Sequence, residues 1–246
     1  MNLLLRWSPS SNILTTMNKS IFLSLLTPTL LFAENSTKKT EQKLANQSDW
    51  VSLFDGETLT GWTNKEGHPA QEGKWVAANG ILSRVKKGAG DLYSAQTYQD
   101  FELAFEWKLE KGSNSGVKYR VQEIDGKMLG LEYQILDDDN HPDGKQRDHQ
   151  SAALYDLRAT NSDKKLNPIG EWNSSRIVVH DGLVQHFLNG ALVVEIKIPS
   201  KEWHAAFEQS KYKKLKNFGT NQKGLLMLQD HNDPVSFRHL KIRELQ

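Results

Sequence analysis

No cysteine occurs among the 246 residues. A disulfide framework, a thiolate nucleophile and a Cys-ligated zinc site are therefore excluded, and the fold must rest on its own core. Neither sign of charge is in excess: 31 Lys and Arg face 30 Asp and Glu. That removes the electrostatic surplus by which a protein attracts nucleic acid. No pair of histidines sits at the helical spacing of a zinc protease, and no internal repeat is visible. Long apolar runs are missing too. The most apolar stretch, 21–32, is interrupted by Ser24 and by Thr27-Pro28-Thr29, and it is shorter than the roughly 20 residues of a bilayer span.

That short run has a different reading. Lys19 precedes it and Ala33-Glu34 follows it, which is a basic region, an apolar region and a small residue at a cleavage point. Residues 1–33 are thus expected to be a signal peptide, exporting the protein to the periplasm or the medium. Met17, directly before Asn18-Lys19, is an alternative start. A short buried or membrane-associated helix is the competing reading, and a lipoprotein anchor is excluded for want of a cysteine. Residues 34–48 are polar, without periodicity, and read as a flexible linker.

From Trp50 the pattern changes to short alternating runs separated by turn signals. Asn79-Gly80, Asp125-Gly126, Asp181-Gly182 and Asn189-Gly190 are hairpin dipeptides. Strands are expected at 75–78, 81–85, 101–109, 116–123, 129–136, 172–180, 183–188, 191–198, 224–229 and 235–243. The run Phe101-Glu102-Leu103-Ala104-Phe105-Glu106-Trp107-Lys108-Leu109 alternates almost throughout, the mark of a strand with one dry and one wet face. Only 201–218 has helical character. The expectation is an all-β, two-sheet sandwich or jelly roll over 49–246, with one short helical excursion. Seven Trp suit either an aromatic core or a sugar-stacking surface.

Several strings gain meaning together. They are Leu53-Phe54-Asp55-Gly56, Leu59-Thr60-Gly61-Trp62, Trp75 before Asn79-Gly80, Phe101-Glu102-Leu103, Asn114-Ser115-Gly116 and Glu132-Tyr133-Gln134-Ile135-Leu136-Asp137. Ala153-Leu154-Tyr155, Glu171-Trp172-Asn173, Asn189-Gly190, Leu228-Gln229-Asp230-His231 and Phe237-Arg238 follow. In this order and spacing they resemble the 3-keto-disaccharide hydrolase family, whose members are also described as 3-keto-glucoside 1,2-lyases and 3-keto-2-hydroxy-glucal hydratases. Ser151-Ala152 departs from the pattern, where a Thr-Gly or similar pair is expected.

The resemblance implies a concanavalin-like sandwich and action on glycosides already oxidised to a ketone at C3. It also implies a separate glycoside 3-dehydrogenase acting upstream. A C3 ketone acidifies the C2 proton, so the C1 substituent can leave by elimination and water can add back. Such chemistry needs a base near C2, a donor for the enolate oxygen and an acid near the glycosidic oxygen. It needs no redox cofactor; a divalent metal is conceivable but not expected.

Candidate residues follow. Glu132 and Gln134 share one strand face roughly 7 Å apart, opposite Leu131, Tyr133 and Ile135. Pattern alone makes this a solvated outer face, whereas the resemblance makes it a site. Asp137 ends that strand and is a candidate catalytic carboxylate with Glu132. It opens the loop Asp137-Asp138-Asp139-Asn140-His141-Pro142-Asp143-Gly144, a charged turn or a calcium loop with His141 and Gln150 in place of expected ligands. Arg120, expected to share a face with Lys118, is a candidate oxyanion holder or a partner for Glu132. Asn114 begins a turn that brings backbone close to a ligand. His231, of the same parity as Gln229, is the preferred base or enolate stabiliser; a hydrogen-bonded turn histidine is the alternative. Tyr155, His186 and Gln229 complete the substrate-binding set. Trp172, Tyr155 and Trp62 are candidates for sugar stacking, with core packing the plainer role. The competing functions are a carbohydrate-binding module without chemistry and a two-carboxylate glycosidase using Glu132 and Asp137.

Overall fold

The alternation at 101–109 becomes the centre of the molecule. In the computed structural model, which describes residues 50–70 and 73–246, β6 (Phe101–Leu109) buries Phe101, Leu103, Phe105, Trp107 and Leu109 on one face. It lies in the middle of an eight-stranded sheet. The order is β11 (Ala191–Lys197), β10 (Leu183–Leu188), β9 (Asn173–His180), β6, β13 (Val235–Glu244), β4 (Ile81–Arg84) and β3 (Trp75–Ala78), and β1 (Val51–Ser52) also pairs with β13. A five-stranded sheet runs β2 (Trp62–Thr63), β5 (Leu92–Tyr98), β12 (Gly224–Leu228), β7 (Asn114–Ile124) and β8 (Lys127–Leu136). Neighbours in both sheets pair antiparallel. The expected two-sheet sandwich is what forms. No described helix is long and apolar enough to cross a membrane. The expected signal and linker segments lie outside the described residues.

The hairpin dipeptides act as foreseen. Asp181, Gly182, Asn189 and Gly190 all have positive φ, between 47° and 87°, which two-residue turns between right-twisted strands require. Two expectations were displaced. Asn114-Ser115-Gly116 is already strand, in register with residues 134–136. The helix α1 (Lys201–Gln209) stops at Ser210, whose hydroxyl donates to the Phe207 carbonyl, and does not continue to 218. Strand β5 lacks alternation because its ladder with β12 shifts register between Leu225 and Met227.

The core between the sheets is aromatic. Phe105 meets Tyr133 edge-on at 5.6 Å, and Phe101 meets Tyr119 at 6.1 Å. Such pairs add about 0.5–1.5 kcal/mol beyond the area they bury. The polar tips inside are paired. Ser175 Oγ accepts from Trp107 Nε1 at 2.8 Å and lies 2.7 Å from the Tyr133 hydroxyl.

His186 belongs to this network. It is fully buried, with Nδ1 2.9 Å from the Ala152 carbonyl and Nε2 2.9 Å from the Tyr119 hydroxyl. Only the tautomer that donates from Nδ1 satisfies both contacts. The expected substrate-binding role is corrected: His186 ties β10 to β7 and to the Ala152 turn, out of reach of a ligand. Burial lowers its pKa to about 4. The unfolded chain binds the extra proton between about pH 6.5 and 4, so stability present above that window is lost as pH falls through it. The protein should be about 2 kcal/mol less stable at pH 5 than at pH 7.5 from this group alone. Urea unfolding of His186→Gln, whose amide can both donate and accept, should show that much less pH dependence; an unchanged slope would contradict the assignment.

Candidate active site

Strands β7 and β8 carry the polar residues on the face turned away from the core. Their register sets Gly116 opposite Gln134 and Lys118 opposite Glu132. Glu132 is 4% exposed and folds its carboxylate across Gly116, where a Cβ would lie 2.5 Å from Oε1. Glycine there makes room for the carboxylate, not for a turn. Lys118 Nζ stands 3.5 Å from Oε2. Among the described residues no hydrogen-bond donor is committed to this carboxylate, so both oxygens have capacity for a substrate.

Next along the face, Gln134 Nε2 donates to Asn114 Oδ1 at 3.4 Å, and the Asn114 backbone N–H donates to Asp233 Oδ2 at 3.2 Å. Asp233 leads to His231, 3.9 Å away and half-exposed at the rim. The bend holding His231 is anchored by Asp230. That carboxylate accepts from Arg84 Nε at 2.6 Å, Gly90 N at 2.8 Å and Asn232 N at 2.9 Å. Burial works to raise the Asp230 pKa, but these hydrogen bonds and the Arg84 charge hold it below its usual range. Gln229 donates its backbone N–H to Gly116 O, and its buried Oε1 has no donor among the described residues.

The segment between β8 and β9 forms a wall. Tyr155 donates its backbone N–H to Glu132 O, and its ring stacks on His149 at 4.4 Å. The ammonium of Lys211 sits 4.1 Å over the same ring. The Tyr155 ring is thus already engaged by His149 and Lys211, and its polar use is through the phenol. Burial, with the charges of Asp143 and Glu132, raises its pKa, so the phenol remains a donor. The other stacking candidates are occupied as well. Trp62 is buried and donates to Leu53 O; Trp172 carries Arg238 at 4.2 Å and Lys108 at 5.0 Å.

Two charged candidates lie elsewhere. Arg120 stands at a bulge with φ 52°, where the β7–β8 register shifts. The extra residue turns its guanidinium away from Glu132, to Asp100 Oδ1 at 3.3 Å and Gln99 O at 3.4 Å. Lys118 takes the ion-pair position instead. Asp137 is 2% exposed and its oxygens accept from Gly112 N at 2.7 Å and from Asn140. Burial pushes its pKa up, but these donors win and hold it low. A carboxylate so committed staples its loop and is a poor proton carrier. Asp138 turns to Ser151 N and Lys164, so the acidic loop does not converge on a cation as a calcium loop would.

His141, on that loop, approaches His231, with ring centroids 6.2 Å apart. Nitrogens of both and an Asp233 oxygen lie within 4.8 Å of one another, a spacing that could hold a metal. However, His141 Nδ1 accepts the Asp143 N–H at 3.2 Å. The neutral ring then keeps its proton on Nε2, whereas a ligating histidine donates through its second nitrogen. These residues fit a hydrogen-bonded cluster better than a metal centre. Sequence reasoning missed Lys118 as partner of Glu132, and Lys211 and Tyr212 as wall. The first was legible from cross-strand register; the others are more than 75 residues from Glu132 in sequence, and no motif marks them. A cleft of about 930 Å³ lies beside Arg147, Arg158 and Glu202, but Arg158 and Glu202 neutralise each other at 2.5 Å, and Glu132 does not line it.

The Ser151-Ala152 departure is also explained. Ser151 Oγ accepts from Leu136 N at 2.8 Å and donates to Leu136 O at 2.7 Å, as a threonine could. Ala152 has φ 67°, a position that favours glycine.

Comparison with known proteins agrees with this architecture. Residues 49–243 match the model of the 3-keto-alpha-glucoside-1,2-lyase-like domain. The 3-keto-disaccharide hydrolase of Bacteroides thetaiotaomicron is 34% identical over 229 residues, covering 80% of this chain and 78% of the relative. Two crystal structures from Parabacteroides distasonis, both assigned as glycosyl hydrolases, superpose well. One is 29% identical with a TM-score of 0.74, covering 82% of this chain and 96% of the other. The second is 26% identical with a TM-score of 0.60, covering 80% and 99%. The chain therefore belongs to the 3-keto-alpha-glucoside-1,2-lyase-like family and is a glycoside-cleaving hydrolase.

Proposed function

We propose that the enzyme acts on glycosides bearing a ketone at C3, with Glu132 as the base that removes the C2 proton. The observation that carries this reading is the state of the Glu132 carboxylate. It is buried, faces away from the core, has Lys118 at 3.5 Å and, among the described residues, has no hydrogen bond committed to it. The name of the B. thetaiotaomicron relative supports the substrate class.

The steps balance without a redox cofactor in this protein. Glu132 takes the proton from C2 and the electron pair passes to the C3 oxygen as an enolate. The enolate collapses, the C1–O bond breaks, and the leaving oxygen takes a proton from His231 at the rim. The resulting enone accepts water at C1, the water's other proton passing to His231 and restoring it, while protonated Glu132 returns its proton to C2. The sum is a 3-keto-sugar and an alcohol. Asn114, Gln134 and Gln229 are suited to grip ring hydroxyls, and the protonated phenol of Tyr155 supplies a further donor. A two-carboxylate glycosidase would need a second uncommitted acid, and Asp137 is tied into its loop. A glycoside 3-dehydrogenase would supply the substrate, and the apolar run at 21–32 supports export to the periplasm or the medium.

Incubation with a nitrophenyl 3-keto-glucoside should release nitrophenol, with an enone absorbance if hydration is the slower step. The unoxidised glucoside should be inert; its turnover would sink the reading. Glu132→Gln should lower turnover about 10²–10⁴-fold while binding survives. Gly116→Ala should lose at least about tenfold in turnover, because the Cβ displaces the carboxylate it now accommodates. Its melting temperature should change little, since the atom that must move is the end of a side chain.

A further inference from the structure

Proton abstraction moves the negative charge from the buried Glu132 carboxylate to the C3 oxygen, where a cationic partner stabilises it as it develops. The cations near Glu132 differ in what they have left to give. Lys118 is paired with Glu132 itself, at 3.5 Å. Arg120 is turned to Asp100, and Lys164 is paired with Asp138. Lys211, in the turn after α1, has no carboxylate within ion-pair distance among the described residues. Its ammonium rests instead on two aromatic faces, 4.1 Å from the Tyr155 centroid and 5.1 Å from that of Tyr212.

That position is held from several sides. Tyr155 stacks on His149 at 4.4 Å, and Tyr212 stacks on the buried Phe218 at 3.9 Å. The Lys211 backbone N–H donates to Asp156 Oδ2 at 2.7 Å, and Asp156 Oδ1 lies 3.2 Å from His149 Nε2. The same aspartate thus ties the lysine and the ring stack together. Although the residue as a whole is exposed, crowding at its ammonium end lowers its pKa. Glu132, Asp156 and Asp143 oppose that effect, and Lys118 adds to it. The charge of Glu132 therefore reaches Lys211. A cation fixed by rings, rather than neutralised by a carboxylate, can meet a developing oxyanion without first losing a partner.

We infer that Lys211 is a second catalytic residue, donating a charged hydrogen bond to the C3 oxygen as the enolate forms. This rests on the elimination reading above and extends it to the orientation of the sugar: C2–H toward Glu132, the C3 carbonyl toward the Tyr155–Tyr212 wall.

The probe is the 3-keto derivative of 1,5-anhydroglucitol, which has no exocyclic leaving group at C1, so that exchange of its C2 proton in D2O reports enolisation without aglycone loss. Wild-type enzyme should catalyse that exchange, seen by proton NMR, and Glu132→Gln should abolish it. Lys211→Met should slow it about 10²–10³-fold, the usual loss for one oxyanion donor, without a change in melting temperature; Lys211→Gln serves if the Met variant does not fold. Exchange by the Lys211 variants within threefold of wild type, with Glu132→Gln inactive, overturns the role of Lys211 and leaves the elimination reading standing. Absence of exchange by wild-type enzyme overturns both.

Discussion

The structure turns on a buried carboxylate that is only partly satisfied. Taking an ionised glutamate out of water costs several kcal/mol unless charge and hydrogen bonds replace the lost hydration. At Glu132 the fold supplies one ammonium at 3.5 Å and a glycine opposite, which lets the carboxylate lie flat on the sheet. It withholds the dense donor set that Asp137 and Asp230 receive. The contrast separates a carboxylate kept available for a substrate from two that hold loops together.

Everything around Glu132 serves to present it. The β7–β8 register decides which residue lies beside it, and the bulge after Tyr119 removes Arg120 from the face and leaves Lys118 there. The Tyr133 side of β8 is locked into the core by Phe105 and Ser175, so the Glu132 side cannot slip by one residue without burying charge. The segment after β8 doubles back, and its Tyr155 amide bonds to the Glu132 carbonyl. Site and core are therefore two faces of one strand, each fixing the other.

The buried histidine illustrates how a residue type misleads when its surroundings are unknown. On sequence alone His186 was a polar residue near a turn and a candidate for substrate binding. The fold places it between Tyr119 and the Ala152 carbonyl, where burial makes it neutral and structural. His231 instead lies in the bend after β12, before Asn232-Asp233-Pro234, and is half-exposed at the rim. Strand position hints at the difference, and the elements packed over His186 complete it.

The sandwich, its hairpins and the two faces of β8 were determined by the sequence itself. Alternation and Asn-Gly or Asp-Gly turns are local signals with direct steric causes. The family motifs likewise pointed to the polar face at Glu132 and Gln134. Tertiary structure alone decided which charged groups face each other. Lys118 displaced Arg120 because a bulge reverses side-chain parity, and Asp137 was withdrawn because loop amides reach it first. Lys211 and Tyr212 entered because the turn after α1 packs back against Tyr155. Such pairings depend on the distance between elements far apart in the chain, and no local periodicity encodes that distance.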